Sequence, residues 1–245
     1  RSRGLGDVYK RQEVIMHETV KEDLLKEDSL LATSVWSAML AGNRKFAEGS
    51  LNCHGLSEET RLSLIEGQHP GAVVLSCADS RVAPEFVFGA GLGDIFSVRT
   101  AGEVLDDAVI ASLEYAVSDL GVKVLVVLGH EHCGAVQAVL PNVQKLVSKY
   151  GEDEANEIIE SSESILLRSL GPAALAGIEE DLSTDDIERI HVSNMLTEIC
   201  DKSQIIREAA FNDNLMLVGA RYRMSDGLVE VLSVSIHIRS CRRAN

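Results

Sequence analysis

The most regular feature of the chain is a set of short, wholly apolar runs set between longer stretches of three- and four-residue spacing. Gly71-Ala-Val-Val-Leu-Ser-Cys77, Ile95-Phe-Ser-Val-Arg99 and Lys123-Val-Leu-Val-Val-Leu-Gly129 are rich in β-branched residues and too short for helices, so each predicts a buried strand. Between the second and third, Ile110, Leu113, Val117 and Leu120 recur on one face of a helix over Asp106–Leu120. Asp106 or Asp107 can cap its start and Gly121 can end it. A further helix is predicted over Cys133–Tyr150. Apolar strands alternating with helices imply a mostly parallel β-sheet with flanking helices, an α/β fold covered on both faces.

The ends of the chain read differently. Glu22–Leu31 and Ser34–Glu48 predict two helices, the second carrying Trp36, Met39, Leu40 and Phe46 on one face, to pack on the main core or on another subunit. Ser57–Gly67 predicts a short helix with Leu62 and Ile65. The acidic stretch Gly151–Asp186 reads as short helices around a loop at Gly171-Pro172, with a solvated outer face. Ile187–Phe211 predicts one long helix. Leu215–Arg223 and Leu228–Val234 flank Ser225-Asp226-Gly227, a hairpin signal that makes the last strand an antiparallel edge.

Composition narrows the function classes. The 245 residues hold 23 Lys+Arg against 38 Asp+Glu, a formal charge of −15, which argues against a nucleic-acid partner. No apolar run approaches the ~18 residues of a membrane span. The five cysteines (Cys53, Cys77, Cys133, Cys200 and Cys241) are odd in number and scattered, which suggests a reducing, cytoplasmic setting with metal or catalytic use for some of them. Residues 2–12, SRGLGDVYKRQ, resemble a translated sequencing-library adapter. Residues 1–15 are therefore set aside as non-native, and 16–245 are read as one domain beginning near Met16. That segment is net basic, so the remainder is more acidic than the whole.

Two predicted strand ends carry the chemistry. The first finishes in Ser76-Cys77-Ala78-Asp79-Ser80-Arg81, the third in Gly129-His130-Glu131-His132-Cys133-Gly134. Functional groups of parallel α/β sheets gather at the carboxyl ends of strands. Two thiolates and an imidazole, Cys77, His130 and Cys133, suit one tetrahedral Zn²⁺ with a fourth position open, the pattern of a catalytic site. Arg81 can hold Asp79 through a fork of two hydrogen bonds, fixing a carboxylate beside the metal.

Either motif alone is weak; the pair is specific. CADSRVAPE, GLGDIFSVRTAG, SLEYAV and VLGHEHCGAV, within a similarity running from Trp36 to Ile236, resemble the β-class carbonic anhydrases, with CADSR similar to the actinobacterial-type branch. The resemblance implies Zn²⁺ on Cys77, His130 and Cys133, Asp79 and Arg81 as a catalytic dyad, and reversible hydration of CO2 to bicarbonate. It places Gln68, Phe96, Ala101, Tyr115 and Gly134 around the substrate, Gln68 acting across a dimer interface. It also implies homodimers that can pair into tetramers, with the helices of residues 16–50 wrapping the partner. Some members of the family carry a bicarbonate-sensitive site with Trp and Gly where this chain has Val74 and Ser76, which speaks against that switch here.

Several features have plainer readings. Cys53-His54 point apart as chain neighbours, Cys200 belongs to helix packing, and His191 and His237 are structural. His132 is a surface histidine or a proton shuttle. Gly89-x-Gly91-x-Gly93 precedes a strand and so fails the context of a phosphate loop. Hydrolysis of CS2 or COS on the same scaffold, and a non-catalytic zinc-stabilised binding module, are the competing functions. The dyad argues against the second.

Overall fold

The computed structural model describes residues 28–52 and 54–235. The adapter-like segment, Met16, Cys53, His237 and Cys241 lie outside the described residues. The first described element is helix α1 (residues 28–47), followed by α2 (Glu58–Ser63), β1 (Ala72–Cys77), α3 (Pro84–Val87) and β2 (Ile95–Thr100). A 3₁₀ turn (Ala101–Glu103) leads to α4 (Asp107–Ser118), β3 (Val124–His130) and α5 (Gly134–Tyr150). Then come α6 (Glu152–Glu160), α7 (Ile165–Glu179), α8 (Thr184–Lys202), α9 (Gln204–Phe211), β4 (Met216–Tyr222) and β5 (Val229–Ser235).

The strands form one five-stranded sheet in the order β2-β1-β3-β4-β5. All neighbours are parallel except β4 and β5, which form the expected antiparallel edge. The chain leaves β1 for β2 on one side, then continues through β3 and β4 on the other. The carboxyl ends of β1 and β3 therefore flank the switch point where open α/β sheets bind ligands.

The apolar runs are explained by two covered faces. Every residue of β1, β3 and β4 is buried. Val73, Leu75, Leu125, Val127 and Leu217 pack on one face beneath α4, α8 and α9. Alternate residues Val74, Val126, Leu128, Val218 and Ala220 pack on the other, beneath α1 and α3. Trp36, Met39, Leu40 and Phe46 all join this second layer, and Trp36 meets Phe88 edge-on at 5.9 Å. Of the two uses foreseen for the Trp36 face, the structure shows the main core. A third cluster, built from α5–α8, includes Cys77 and Cys133.

Three boundaries differ from the sequence pattern. The described part of the first helical region is unbroken through residues 31–34, where the pattern suggested two helices. Gly171-Pro172 is no loop: α7 runs through it. The glycine is there for packing, since a Cβ would stand 2.5 Å from Ile159 Cγ2 of α6. The long helix of Ile187–Phe211 is two helices, divided at buried Ser203. The Ser203 hydroxyl accepts the Ile206 amide at 3.1 Å and donates to Glu114 Oε1 at 2.6 Å, capping α9 and tying it to α4. Asp106 caps α4 as expected, its Oδ1 accepting the Val109 amide at 2.8 Å.

Candidate metal centre

β1 and β3 are hydrogen-bonded neighbours, so the ends of the two motifs emerge side by side. Cys77 is the last residue of β1, His130 the last of β3, and Cys133 precedes α5. All three are buried, and their ligand atoms lie within 4.8 Å of one another. Among the described residues this is the only such group of three or more His, Cys, Asp or Glu. His130 Nδ1 donates to the Glu131 carbonyl at 2.8 Å. Its Nε2 is therefore a lone pair, and it is buried without a hydrogen-bond partner. An orphaned imidazole nitrogen facing two sulfurs fits Zn²⁺, which takes N at ~2.0 Å and S at ~2.3 Å.

The two sulfurs are held unequally. A hydrogen bond from the Cys133 thiol pulls the Cys77 pKa down to about 4 against the effect of burial, helped by the amides of Gly102 and Asp79. That bond and burial push Cys133 upward. The Gly102 amide lies 3.3 Å from Cys77 Sγ. It reaches there because Gly102 adopts φ +62°, a left-handed conformation open to glycine.

Asp79 and Arg81 form the predicted fork. Arg81 Nε donates to Oδ1 at 2.9 Å and Nη2 to Oδ2 at 2.6 Å, while the Arg81 amide donates to Oδ1 at 2.9 Å. These bonds hold the Asp79 carboxyl well below the usual carboxylate range, so it is an ionised acceptor at neutral pH. Arg81 Nη2 also donates to the His132 carbonyl at 3.2 Å, joining the two motifs. His132 itself is exposed, at φ +56°.

The remaining candidates are distributed. Gly134 opens α5 directly after Cys133, and a Cβ there would meet nothing within 4 Å, so space lies beside it. Ala101 opens the 3₁₀ turn and is exposed. Phe96 packs against the main core, and its ring pairs at 6.0 Å with that of exposed Tyr115. The structure does not bring Gln68 to the thiolates. It lines a separate surface cleft of about 400 Å³ with Arg61, Leu64, Gly67, Leu92 and Gly93.

Sequence reasoning passed over several groups that the fold places behind the site. Arg99 donates to the Cys77 carbonyl at 3.1 Å and the Asp79 carbonyl at 2.7 Å, fixing the backbone of the dyad. Glu188 accepts the Cys133 amide at 3.0 Å, and buried Arg221 holds Glu188 at 2.9 Å. Glu103, fully buried behind Cys77, has its pKa raised well above normal by burial, then by the negative charges of Cys77 and Glu188. Arg221 was the readable signal: a guanidinium in the apolar run Met-Leu-Val-Gly-Ala-Arg-Tyr requires buried carboxylate partners.

Comparison with known proteins agrees with this geometry. A family profile described as carbonic anhydrase matches residues 72–229. Carbonic anhydrase 2 of Mycobacterium tuberculosis is 39% identical over 197 residues, spanning 79% of this chain and 89% of that protein. Carbonic anhydrase of Mycolicibacterium smegmatis is 38% identical over 201 residues, spanning 82% of this chain and 93% of that one. Among solved structures, the β-carbonic anhydrase CafA of Aspergillus fumigatus is similar at a TM-score of 0.59 and 27% identity, covering 80% of this chain and 89% of that chain.

Proposed function

The chain belongs to the β-class carbonic anhydrases, zinc-dependent enzymes of reversible CO2 hydration, and from that premise we propose how its own residues divide the work. Cys77, His130 and Cys133 would hold the metal. Zinc bound there supplies Lewis acidity that lets water ionise near neutral pH. Asp79 stays an acceptor because its pKa is depressed, and it orients the attacking oxygen by accepting that oxygen's proton in a hydrogen bond. Arg81 keeps the carboxylate aimed.

CO2 carries no charge to grip, so Phe96, Ala101 and Tyr115 offer it apolar surface. Gly134 places the positive end of α5 near the product anion. Gln68 hydrogen-bonds substrate from the neighbouring copy of a homodimer, and such dimers can pair into tetramers. Thiolate ligands suit a reducing compartment, and the proposed location is the cytoplasm. Among the described residues no helix is long and apolar enough to cross a membrane.

The observation that carries this reading is the orphaned His130 Nε2 converging with two sulfurs beside a carboxylate clamped by arginine. Stopped-flow CO2 hydration by zinc-loaded protein across roughly pH 6.5 to 9 tests it, with CS2 and COS as parallel substrates. Hydration that rises with pH is expected. Zinc-loaded protein that hydrates no CO2 but hydrolyses CS2 refutes the assignment.

A further inference from the structure

The groups that hold zinc are themselves held, and from a single turn of one helix. The buried face of α8 is apolar at Ile187, Val192, Met195 and Ile199, yet it also carries Glu188 at 3% exposure and His191 at 1%. Burying a carboxylate and an imidazole there is costly unless each finds a defined partner. Both do, and both partners lead to a zinc ligand. Glu188 Oε1 accepts the amide of Cys133 at 3.0 Å. His191 Nε2 lies 2.7 Å from the Gly102 carbonyl, to which it donates. The amide of that same residue points at Cys77 Sγ, 3.3 Å away.

The two side chains are three residues apart, so they project from one face of the helix. Glu188 fixes the turn that carries Cys133; His191 fixes the turn that caps Cys77. Glu188 is in turn fixed by Arg221, whose Nε donates to its Oε2 at 2.9 Å and which is fully buried in β4. Arg221 Nη2 lies 2.7 Å from Asp185, one turn earlier on α8, so the helix is also locked against sliding along the sheet. We infer that Glu188 and His191 are positioning residues of the zinc site, setting the separation and aim of the two thiolates from α8. The inference rests on the zinc reading and assigns the two residues no part in the reaction itself.

The test uses the full chain loaded with Co²⁺, whose thiolate charge-transfer absorption reports ligand geometry, and times metal release into excess chelator. Glu188→Leu and His191→Phe remove the hydrogen bonds; Glu188→Gln and His191→Gln keep an acceptor and a donor. Outer-sphere partners of metal ligands are typically worth 10–100-fold in affinity. The apolar variants are expected to release metal about tenfold faster or more, with a shifted absorption band, and His191→Gln to stay within about threefold of the parent; Glu188→Gln, which keeps the acceptor for Cys133 but turns its NH2 on Arg221, is expected to release more slowly than Glu188→Leu. Each pair decides its own residue. Parent-like release by the apolar variant overturns the role of its residue, and for His191 so does equal loss in the Gln variant, because packing alone then accounts for the effect.

Should an apolar variant lose its cooperative melt, Glu188→Asp or His191→Asn replaces it. These are too short to reach the backbone group; fast release is expected, and parent-like release overturns the role. A parent chain that takes up no cobalt overturns the zinc reading and this inference together. A cobalt-binding parent with indifferent variants overturns the inference alone.

Discussion

Asp79 receives three hydrogen bonds from Arg81, two from the side chain and one from the amide, and touches none of the three ligand side chains through them. Its removal is therefore separable from metal binding. Asp79→Ala is expected to retain zinc, by metal analysis, while losing hydration rate by about 100-fold or more, the scale of a lost positioning or proton-handling group. Full activity in that variant refutes the role. Glu103 makes a second prediction, on stability. Its folded pKa lies above its unfolded value of about 4.3, so the folded state binds the extra proton. That stabilisation is complete below about pH 4.3 and is lost as pH rises through the folded pKa. Raising pH above about 4.3 should therefore cost the parent melting temperature relative to Glu103→Gln, which stays neutral throughout. Equal slopes in the two proteins contradict the shift. At this scale the sequence was most legible where side-chain chemistry is rare and local. Cys77, Asp79, Arg81, His130 and Cys133 could be read because two motifs, each weak alone, fall at two strand ends and offer complementary soft ligands. Glu188 and His191 did not, since their meaning depends on which backbone α8 meets across the fold.

At the scale of elements, β1, β3 and β4 were readable because two covered faces leave no polar position to confuse the pattern. The helices were less so, because whether a residue ends a helix depended on what it meets across the fold. Gly171 and Pro172 look like a loop until α6 is seen pressed against the glycine. Ser203 looks like an ordinary helix residue until α4 supplies Glu114 for its hydroxyl. The joint between β4 and α8 has a measurable energy. Arg221 is enclosed by Glu188 at 2.9 Å, Asp185 at 2.7 Å, Glu230 at 3.6 Å and Glu131 at 3.9 Å. Replacing it strands a buried carboxylate, so Arg221→Met is expected to cost about 3–5 kcal/mol in urea unfolding. Adding Glu188→Gln removes the stranded charge and should recover part of that loss. A double variant no more stable than Arg221→Met shows that lost packing, and not an unpaired charge, sets the cost.

At the scale of the whole molecule, one expected substrate contact lies apart from Cys77, His130 and Cys133. Gln68 is exposed and lines a cleft that contains none of the ligands, so within one chain it is not grouped with the site. The surroundings of that cleft bear on the proposed use of Gln68 from a second copy. Leu62 and Ile65 are exposed around α2, and Leu92 is exposed on the neighbouring loop, where Gly93 lies against Leu64. Exposed apolar groups near the cleft are what the proposed docking of a second copy would cover. If a second copy delivers Gln68, breaking the dimer and removing the amide must have the same kinetic effect. Ile65→Glu is expected to sediment as a single chain of 26.5 kDa, to keep its zinc, and to lose hydration rate by about tenfold or more, the worth of a lost hydrogen bond to a polarised substrate oxygen. Gln68→Ala should lose a similar factor while sedimenting as an oligomer. Since neither change touches Cys77, His130 or Cys133, metal content serves as the control for both. A monomeric Ile65→Glu chain with undiminished activity separates oligomerisation from catalysis and removes Gln68 from the substrate site.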